Sequence, residues 1–243
     1  MRSNAIETQP SCWTPVTASA KTQKIQRDGL SARLFVPWGC HYVTSGVEEL
    51  ESGQRELELY QWVSGLTKSG VLFDVVTSYG QEAALASSLQ DRAVTVVGFD
   101  CCLLHAHFCA MNKRLNNYRS KFVFATVGET SGMPVLITCN SDTHLPHLHR
   151  KNAPYSYEVS SLALDDYATS RGLFPTHLKI DVDGAEFSVL KGAEKILGNE
   201  TLTDIFIEID HENDGIFGLL EARDISVSWM HDKPQNADVL FTR

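Results

Sequence analysis

Three ionisable residues alternate along one short segment of this chain: Lys179, Asp181 and Asp183, separated by single apolar residues. Alternate side chains of a strand point to the same side, so an extended segment through these residues would place all three on one side. A carboxylate there could take the proton of a hydroxyl, and a buried lysine beside it would need to be paired. The segment is a candidate for acid–base chemistry, with Asp181 at the strand end as the candidate catalytic residue.

Carboxylates also follow other predicted strands. Asp74 ends the first strand of the main series, Asp100 ends the second, and Glu208 lies in the fifth. Ligands of parallel sheets bind at the carboxyl ends of the strands, and an acid about 20 residues past the first loop can accept ribose hydroxyls. Asp100 lies 20 residues after Gly80. We expect a nucleotide-like ligand at this edge; the alternative is that Asp74 and Asp100 only cap nearby helices.

A second group of candidate residues is the histidine-rich run at 143–150, which contains His144, His147 and His149. Three imidazoles can bind zinc, but Pro146 prevents helical spacing between them. The run is read as a metal site, a substrate lid with His147 as a second catalytic candidate, or a surface loop. We predict no metal centre. The six cysteines form no CxxC pair, which favours free thiols.

The block from Lys179 to Ala193, which reads KIDVDGAEFSVLKGA, carries the most specific pattern in the chain. It resembles the signature of the FkbM-type S-adenosylmethionine-dependent methyltransferases, K-I-D-V-E-G-A-E followed by L-K-G-A. The resemblance covers approximately residues 56–243. Further similar segments follow in the family's order: Phe99-Asp100 with Asn112 and Asn116, Thr126-Val127-Gly128-Glu129, Leu164-Asp165-Asp166-Tyr167, Ile207-Glu208-Ile209 and the terminal strand at 239–243.

This resemblance implies S-adenosyl-L-methionine as the cofactor and a hydroxyl of a sugar or small natural product as the methyl acceptor. It implies that Asp100 holds the ribose, that Asp74 and Gly80 shape the loop around the methionine portion, and that residues 126–129 form the adenine edge. The residues expected to bind the cofactor are Asp74, Ser78, Gly80, Asp100, Cys101 and Val127.

The chain departs from the family pattern in the first loop, where D-V-G-A-N-I-G is replaced by DVVTSYG at 74–80. Val76 stands at a glycine position, where a β-branched side chain adds bulk and resists positive φ. Ser78 replaces Asn, Asp100 replaces Glu, Cys101 replaces Pro and Asp183 replaces Glu. These changes motivate an alternative function: a non-catalytic methyltransferase-fold protein that acts as a binding or partner module. A dinucleotide-dependent oxidoreductase is disfavoured because no GxGxxG follows a predicted strand.

The elements that position these residues alternate along the chain after residue 70. Short runs that are apolar on both faces alternate with helices, which predicts a mostly parallel sheet covered on both sides. With the resemblance, the predicted fold is α/β and Rossmann-like, with seven strands and an antiparallel C-terminal edge. The predicted strands are 71–75, 94–99, 122–127, 178–182, 205–209, 225–229 and 239–242, and the predicted helices are 48–66, 82–89, 103–116 and 185–197.

Composition and charge argue against nucleic-acid binding and against a membrane-spanning protein. The 21 Lys and Arg against 30 Asp and Glu give a net charge of −9, which removes the electrostatic basis for nucleic-acid binding. No apolar run reaches the ~20 residues of a membrane span, and no secretory signal is seen, so we expect a cytoplasmic protein, with organellar targeting by the tail left open. We predict a flexible tail over 1–30, a cap strand and helix over 31–69, and the cofactor domain over 70–243. The oligomeric state is left open.

Overall fold

The computed structural model of this chain describes residues 21–36, 41–54, 56–89, 93–116, 120–139, 146–148, 155–210 and 215–243. The strands are β1 (Lys21–Arg27), β2 (Leu30–Val36), β3 (Val71–Val75), β4 (Thr95–Asp100), β5 (Lys121–Phe124), β6 (Thr126–Val127), β7 (Pro134–Cys139), β8 (Pro146–Leu148), β9 (Tyr155–Leu162), β10 (His177–Ile180), β11 (Asp204–Asp210), β12 (Ser226–Asp232) and β13 (Asn236–Thr242). The helices are α1 (His41–Ser52), α2 (Leu57–Ser64), α3 (Gln81–Ala86), α4 (Leu103–Asn116), α5 (Leu164–Arg171), α6 (Glu186–Lys191), α7 (Glu194–Leu197) and α8 (Gly215–Glu221).

Seven strands form the central sheet, in the order β12-β13-β11-β10-β3-β4-β5. The five strands from β11 to β5 run parallel, whereas β13 pairs antiparallel with both β11 and β12. The predicted fold class, including its antiparallel C-terminal edge, is confirmed. The chain builds outward from β3 to β5 and then returns to β10 and β11, so the order reverses between β3 and β10.

Helices cover both faces of this sheet because its central strands are apolar on both sides. Leu72 of β3 packs into one core with residues of α1 to α4, while its neighbour Phe73 packs into a second core with residues of α5 to α8. This alternation is the buried-strand pattern expected of a parallel sheet. Within the described residues, no helix combines the length and apolar character needed to cross a membrane.

The N-terminal region differs from the flexible tail predicted over 1–30. Its first 20 residues lie outside the described part of the chain, but β1 and β2 form an antiparallel hairpin. In β1 only Ile25 is buried, so the strand carries no hydrophobic pattern that a sequence reading could detect. The hairpin is held by α4: Asn112 Oδ1 accepts the Phe35 N–H at 2.7 Å, and Asn116 Oδ1 accepts the Arg33 N–H at 2.7 Å.

A second, four-stranded sheet with the order β6-β9-β7-β8 was not predicted. The predicted strand 122–127 is in fact two strands that part at Ala125, with β5 in the central sheet and β6 in the second. Two predicted helices are also each divided: 48–66 into α1 and α2, and 185–197 into α6 and α7. Of the histidine run, His147 lies in β8 opposite Thr138 of β7; its side chain, like His144 and His149, lies outside what the structure describes.

Candidate active site

A cavity of about 470 Å³ opens at the carboxyl ends of the central strands, where the strand order reverses. This is the place at which open α/β sheets bind ligands. Its wall is formed by the ends of β3, β4, β10 and β11 together with the first turn of α3. The polar residues that line it are Glu56, Ser78, Gln81, Glu82, Asp100, Cys101, His105, Thr126, Lys179, Asp181, Asp183 and Glu208.

Most of the residues predicted from the sequence meet in this cavity. Five of them line it: Ser78, Asp100, Cys101, Val127 and Asp181. Asp74 is fully buried and does not line the cavity, but it forms an ion pair with Lys179, which does. Gly80 instead precedes α3 on the side facing α4, where a Cβ would lie 3.0 Å from Cys109 Sγ. A larger open depression of about 840 Å³ beside β5 contains none of the predicted site residues in its described lining.

Asp100 is held in place by three donors. Its Oδ1 accepts the Cys102 N–H at 2.7 Å, its Oδ2 accepts the Ser78 N–H at 2.9 Å, and His105 Nδ1 lies 3.0 Å from the same Oδ2. The predicted strand-end acid therefore organises the two neighbouring loops and also faces the cavity. His105 was not among the predicted site residues, although its place five residues after Asp100, in the first turn of α4, could have indicated it.

The first loop has left-handed backbone at two of its substituted positions. Val76 has a φ of 59° and Ser78 a φ of 51°, both in the left-handed region. A β-branched residue rarely occupies that region, and the conformation costs about 1–2 kcal/mol. Val76 lines the cavity and packs against the core below it. Val76 therefore places local strain in the wall of the cavity.

Lys179 joins two of the predicted acids. Its Nζ lies 3.4 Å from Asp74 Oδ1 and 3.4 Å from Asp181 Oδ2, and it donates to the Val76 carbonyl at 3.3 Å. Burial alone would lower the pKa of Lys179, but the carboxylates of Asp74 and Asp181 outweigh burial and raise that pKa well above its usual value. The predicted lysine–aspartate pair exists, with Asp74 as a second partner that the sequence did not indicate.

A buried acid on α3 was missed. Glu82 is 1% exposed, and its Oε1 accepts the Tyr60 hydroxyl at 2.8 Å. Burial, together with the nearby acid Asp74, raises the pKa of Glu82 to about 7 although Lys179 acts in the opposite direction. A single carboxylate in the alanine-rich segment QEAALA is the signal that could have identified it.

Asp181, Asp183 and Glu208 form an acidic group at the cavity mouth, with one carboxylate oxygen of each within 4.8 Å of the others. Lysines lie beside this group, with Lys179 next to Asp181 and Lys233 Nζ donating to Glu208 at 2.7 Å. Burial first, and then the charge of Asp181, raise the pKa of Glu208 to about 6. The group is therefore partly neutralised by lysines of the chain itself.

The acids beyond Asp181 do not cap α6 in the expected manner. A capping-box-like start from Asp183 and Glu186 was the structural alternative for these residues. The helix instead begins after Ala185, which makes no side-chain cap bond, and Glu186 Oε1 accepts the Gly184 N–H at 2.8 Å. Asp183 and Gly184 both have positive φ and form a tight turn between β10 and the helix.

Comparison with known proteins identifies the family of this chain and proteins of similar fold. The family model described as the methyltransferase FkbM domain matches residues 88–237. A putative methyltransferase from Escherichia coli is similar over 92% of this chain and 98% of its own, at 14% identity and a TM-score of 0.51. An S-adenosylmethionine-dependent methyltransferase from Agrobacterium tumefaciens is similar over 93% of this chain and 71% of its own, at 8% identity and a TM-score of 0.50. At such low identity the two structures show the fold alone. No curated protein sequence matches this chain.

Proposed function

Because this chain belongs to the FkbM methyltransferase family, whose members use S-adenosylmethionine, we propose that it methylates a hydroxyl of a sugar or small natural-product scaffold. The observation that carries the proposal is the cavity at the strand ends, since it gathers five of the residues expected to bind cofactor or act on the acceptor. The choice of a hydroxyl as acceptor rests on the family resemblance.

The residues present fit S-adenosylmethionine. The cavity volume of about 470 Å³ lies within the range of cofactor pockets. A carboxylate can accept about four hydrogen bonds, and Asp100 uses three, so it retains capacity for a ribose hydroxyl. Thr126 Oγ1, at the end expected to hold adenine, is buried without a hydrogen-bond partner among the described residues. These groups supply acceptors where the cofactor carries donors.

The chemistry asked of the protein is mainly positioning. Bound S-adenosylmethionine supplies an electrophilic methyl group, and its transfer is an in-line displacement that needs an oriented acceptor and a base for the hydroxyl proton. We propose Asp181 as that base, because its side chain is 37% exposed at the cavity mouth beside Lys179. His147 on β8 remains the second candidate.

The charge of the cavity favours a small neutral or cationic acceptor over nucleic acid. Six carboxylates line it, against the single cation Lys179 among its described lining residues. Such a lining repels phosphates, as does the net charge of −9 on the whole chain. We therefore propose a small-molecule acceptor.

Binding calorimetry with S-adenosylmethionine and with NAD tests the cofactor. We expect S-adenosylmethionine alone to bind, and Asp100→Asn to weaken its binding by the roughly 1.5–3 kcal/mol of a hydrogen bond to a charged group. The exposed Asp232→Asn in β12 is the control and should bind normally. Absence of binding to the wild-type protein would contradict the proposal and support the non-catalytic module, to which the strained Val76 points.

The acceptor class is tested with methyl-labelled S-adenosylmethionine and a panel of sugars and hydroxylated small molecules. We expect label in an ether linkage, which survives alkaline hydrolysis. Label that is released by alkali, as from a methyl ester, or that is found on nitrogen would contradict transfer to a hydroxyl.

A further inference from the structure

Two adjacent residues of α3 present unused hydrogen-bond acceptors in the cofactor cavity. Gln81 is 3% exposed and Glu82 is 1% exposed, and both line the cavity. Neither Gln81 Oε1 nor Glu82 Oε2 has a hydrogen-bond partner among the described residues. A buried polar atom without a partner costs about 1–3 kcal/mol, so a site that keeps two of them is arranged for a donor from a ligand.

The donor that fits is cationic and carries several N–H groups. An ammonium has three donors and a positive charge, and it can therefore bond both acceptors and neutralise the carboxylate. A sulfonium has the charge but no N–H to donate. We propose that Glu82, assisted by Gln81, binds the α-ammonium of the methionine end of S-adenosylmethionine. This inference rests on the proposed function, because it assigns residues to the same cofactor.

The surroundings of Glu82 explain why it needs that counter-ion. Tyr60 of α2 donates to its other oxygen, and the charged groups that face it are Lys179 of β10, Asp74 of β3 and Glu56 before α2. Lys179 is shared with Asp74 and Asp181, so it does not compensate Glu82 fully. The pKa of Glu82 is accordingly raised to about 7, first by burial and then by Asp74.

Binding of an ammonium by Glu82 should displace a proton. In the free protein at pH 6.5, about three quarters of Glu82 is the neutral acid if its pKa is about 7. An incoming ammonium favours the carboxylate, so the carboxyl proton leaves to solvent and an ion pair forms in its place. Binding should therefore release about 0.7 proton at pH 6.5. At this pH the ligand's own amino group, with a pKa near that of α-amino groups at about 7.7–8.0, does not contribute.

The test is calorimetry of ligand binding at pH 6.5 in several buffers of different ionisation enthalpy, which counts the protons released. Three probes separate the ends of the cofactor: S-adenosylmethionine, S-adenosylhomocysteine, which keeps the ammonium but lacks the sulfonium, and 5′-methylthioadenosine, which lacks the amino-acid end. We expect proton release with the first two and none with the third. Release with S-adenosylmethionine alone would overturn the ammonium assignment in favour of the sulfonium.

Variants assign the proton to one residue. Glu82→Gln should abolish the release, and it should also remove the roughly tenfold loss of affinity per pH unit that we expect of the wild type below pH 7. Glu208→Gln is the matched control, because Glu208 lines the same cavity and also has a raised pKa; it should leave the release intact. Release that disappears in Glu208→Gln but persists in Glu82→Gln would overturn the proposal.

Tyr60→Phe is a second test, because it changes the pKa of Glu82 without replacing the carboxylate itself. The Tyr60 hydrogen bond lowers the pKa of Glu82, so its removal should raise that pKa and move the midpoint of the affinity profile to higher pH. A purely structural Glu82 would leave the midpoint unchanged. Binding of S-adenosylmethionine without proton release would overturn this inference alone, whereas no binding at all would overturn the proposed function with it.

Discussion

At the scale of single residues, the two carboxylates beside Lys179 differ in burial. Asp74 is fully buried, whereas the Asp181 side chain is 37% exposed. Asp181→Asn therefore leaves Lys179 paired with Asp74, and we expect thermal stability and cofactor affinity to stay close to wild type. If Asp181 is the base, methyl transfer to an acceptor found in the panel should fall by about 10²–10⁴-fold. Full turnover in this variant would show that Asp181 is not the base and would leave His147 as the candidate.

Replacing Lys179, the shared partner of the two carboxylates, tests which of them the lysine stabilises. Lys179→Met removes the counter-ion of Asp74. The fully buried carboxylate then keeps, among the described residues, the Thr77 hydroxyl, which donates to its Oδ2 at 2.6 Å. Breaking a buried pair in this way costs about 3–5 kcal/mol. We expect a large loss in the free energy of unfolding, measured in urea, that adding Asp181→Asn does not restore. Recovery of stability in the double variant would show that Asp181 is the principal partner.

Val76 stands where the family resemblance leads us to expect a glycine, and its φ of 59° lies in the left-handed region. Val76→Gly relieves a left-handed β-branched residue and enlarges the cavity, but also removes a side chain packed on the core. We expect unfolding free energy within about 1 kcal/mol of wild type, because strain relief and lost packing oppose each other. Affinity for S-adenosylmethionine should be equal or higher, and a clear loss measured by calorimetry would mean that Val76 contacts the cofactor.

At the scale of elements, several residues of the family-like motifs are architectural. Asp165, in the segment that resembles the family's T-L-D-D, accepts the backbone N–H groups of Lys195 and Ile196 at 2.8 and 3.0 Å and so caps α7. Asn112 and Asn116 join α4 to the hairpin strand β2. These motif residues hold the elements around the cavity rather than its ligand.

Gly192 shows how two motifs depend on each other. It divides α6 from α7 and lies so close to the loop after β6 that a Cβ would be 2.1 Å from the Gly128 carbonyl oxygen. Gly192→Ala must therefore displace that loop, which carries the expected adenine edge. We expect a loss of at least about 2 kcal/mol in unfolding free energy and weaker cofactor binding. Gly218→Ala on α8 is the control, because no described atom beyond its chain neighbours and its own helix backbone lies within 4 Å of the new Cβ; it should be neutral or stabilising.

At the scale of the whole molecule, the buried acid Glu82 makes stability depend on pH. Its pKa is near 4.5 when the chain is unfolded and about 7 when folded, so the unfolded chain ionises first as pH rises. The contribution of Glu82 to the free energy of unfolding therefore falls as the pH rises from about 4.5 to 7. Above pH 7 that contribution stays constant. The penalty applies to the free protein, and cofactor binding removes it through the ion pair proposed above.

The measurement is urea unfolding of Glu82→Gln and wild type across pH. The two should be equally stable near pH 4, and the variant should be more stable at pH 8 by up to about 3 kcal/mol. The exposed Glu158→Gln in β9 serves as the control and should follow the wild type at every pH. A variant that is less stable than wild type at pH 8 would contradict a raised pKa for Glu82.

The fold class was readable from the sequence because burial leaves a local pattern. The run over 71–75 is apolar on both faces and forms β3 with the predicted bounds, and α4 also has the bounds that its sequence predicts. Acids placed directly after such strands meet at one sheet edge by the geometry of parallel strands, which is why Asp100 and Asp181 could be assigned to the cavity. The KIDVDGAE block added the family and hence the cofactor.

Tertiary structure alone decided which distant groups meet. The partner of Glu82 is Tyr60, 22 positions earlier, and nothing in the local pattern of either residue indicates the other. The hairpin strand β1 was invisible because backbone pairing holds it while only Ile25 is buried. Periodicity records whether a side chain faces a core, but not which residue lies opposite. Asp74 as the second partner of Lys179, and the close approach of Gly192 to Gly128, were therefore determined only when the chain folded.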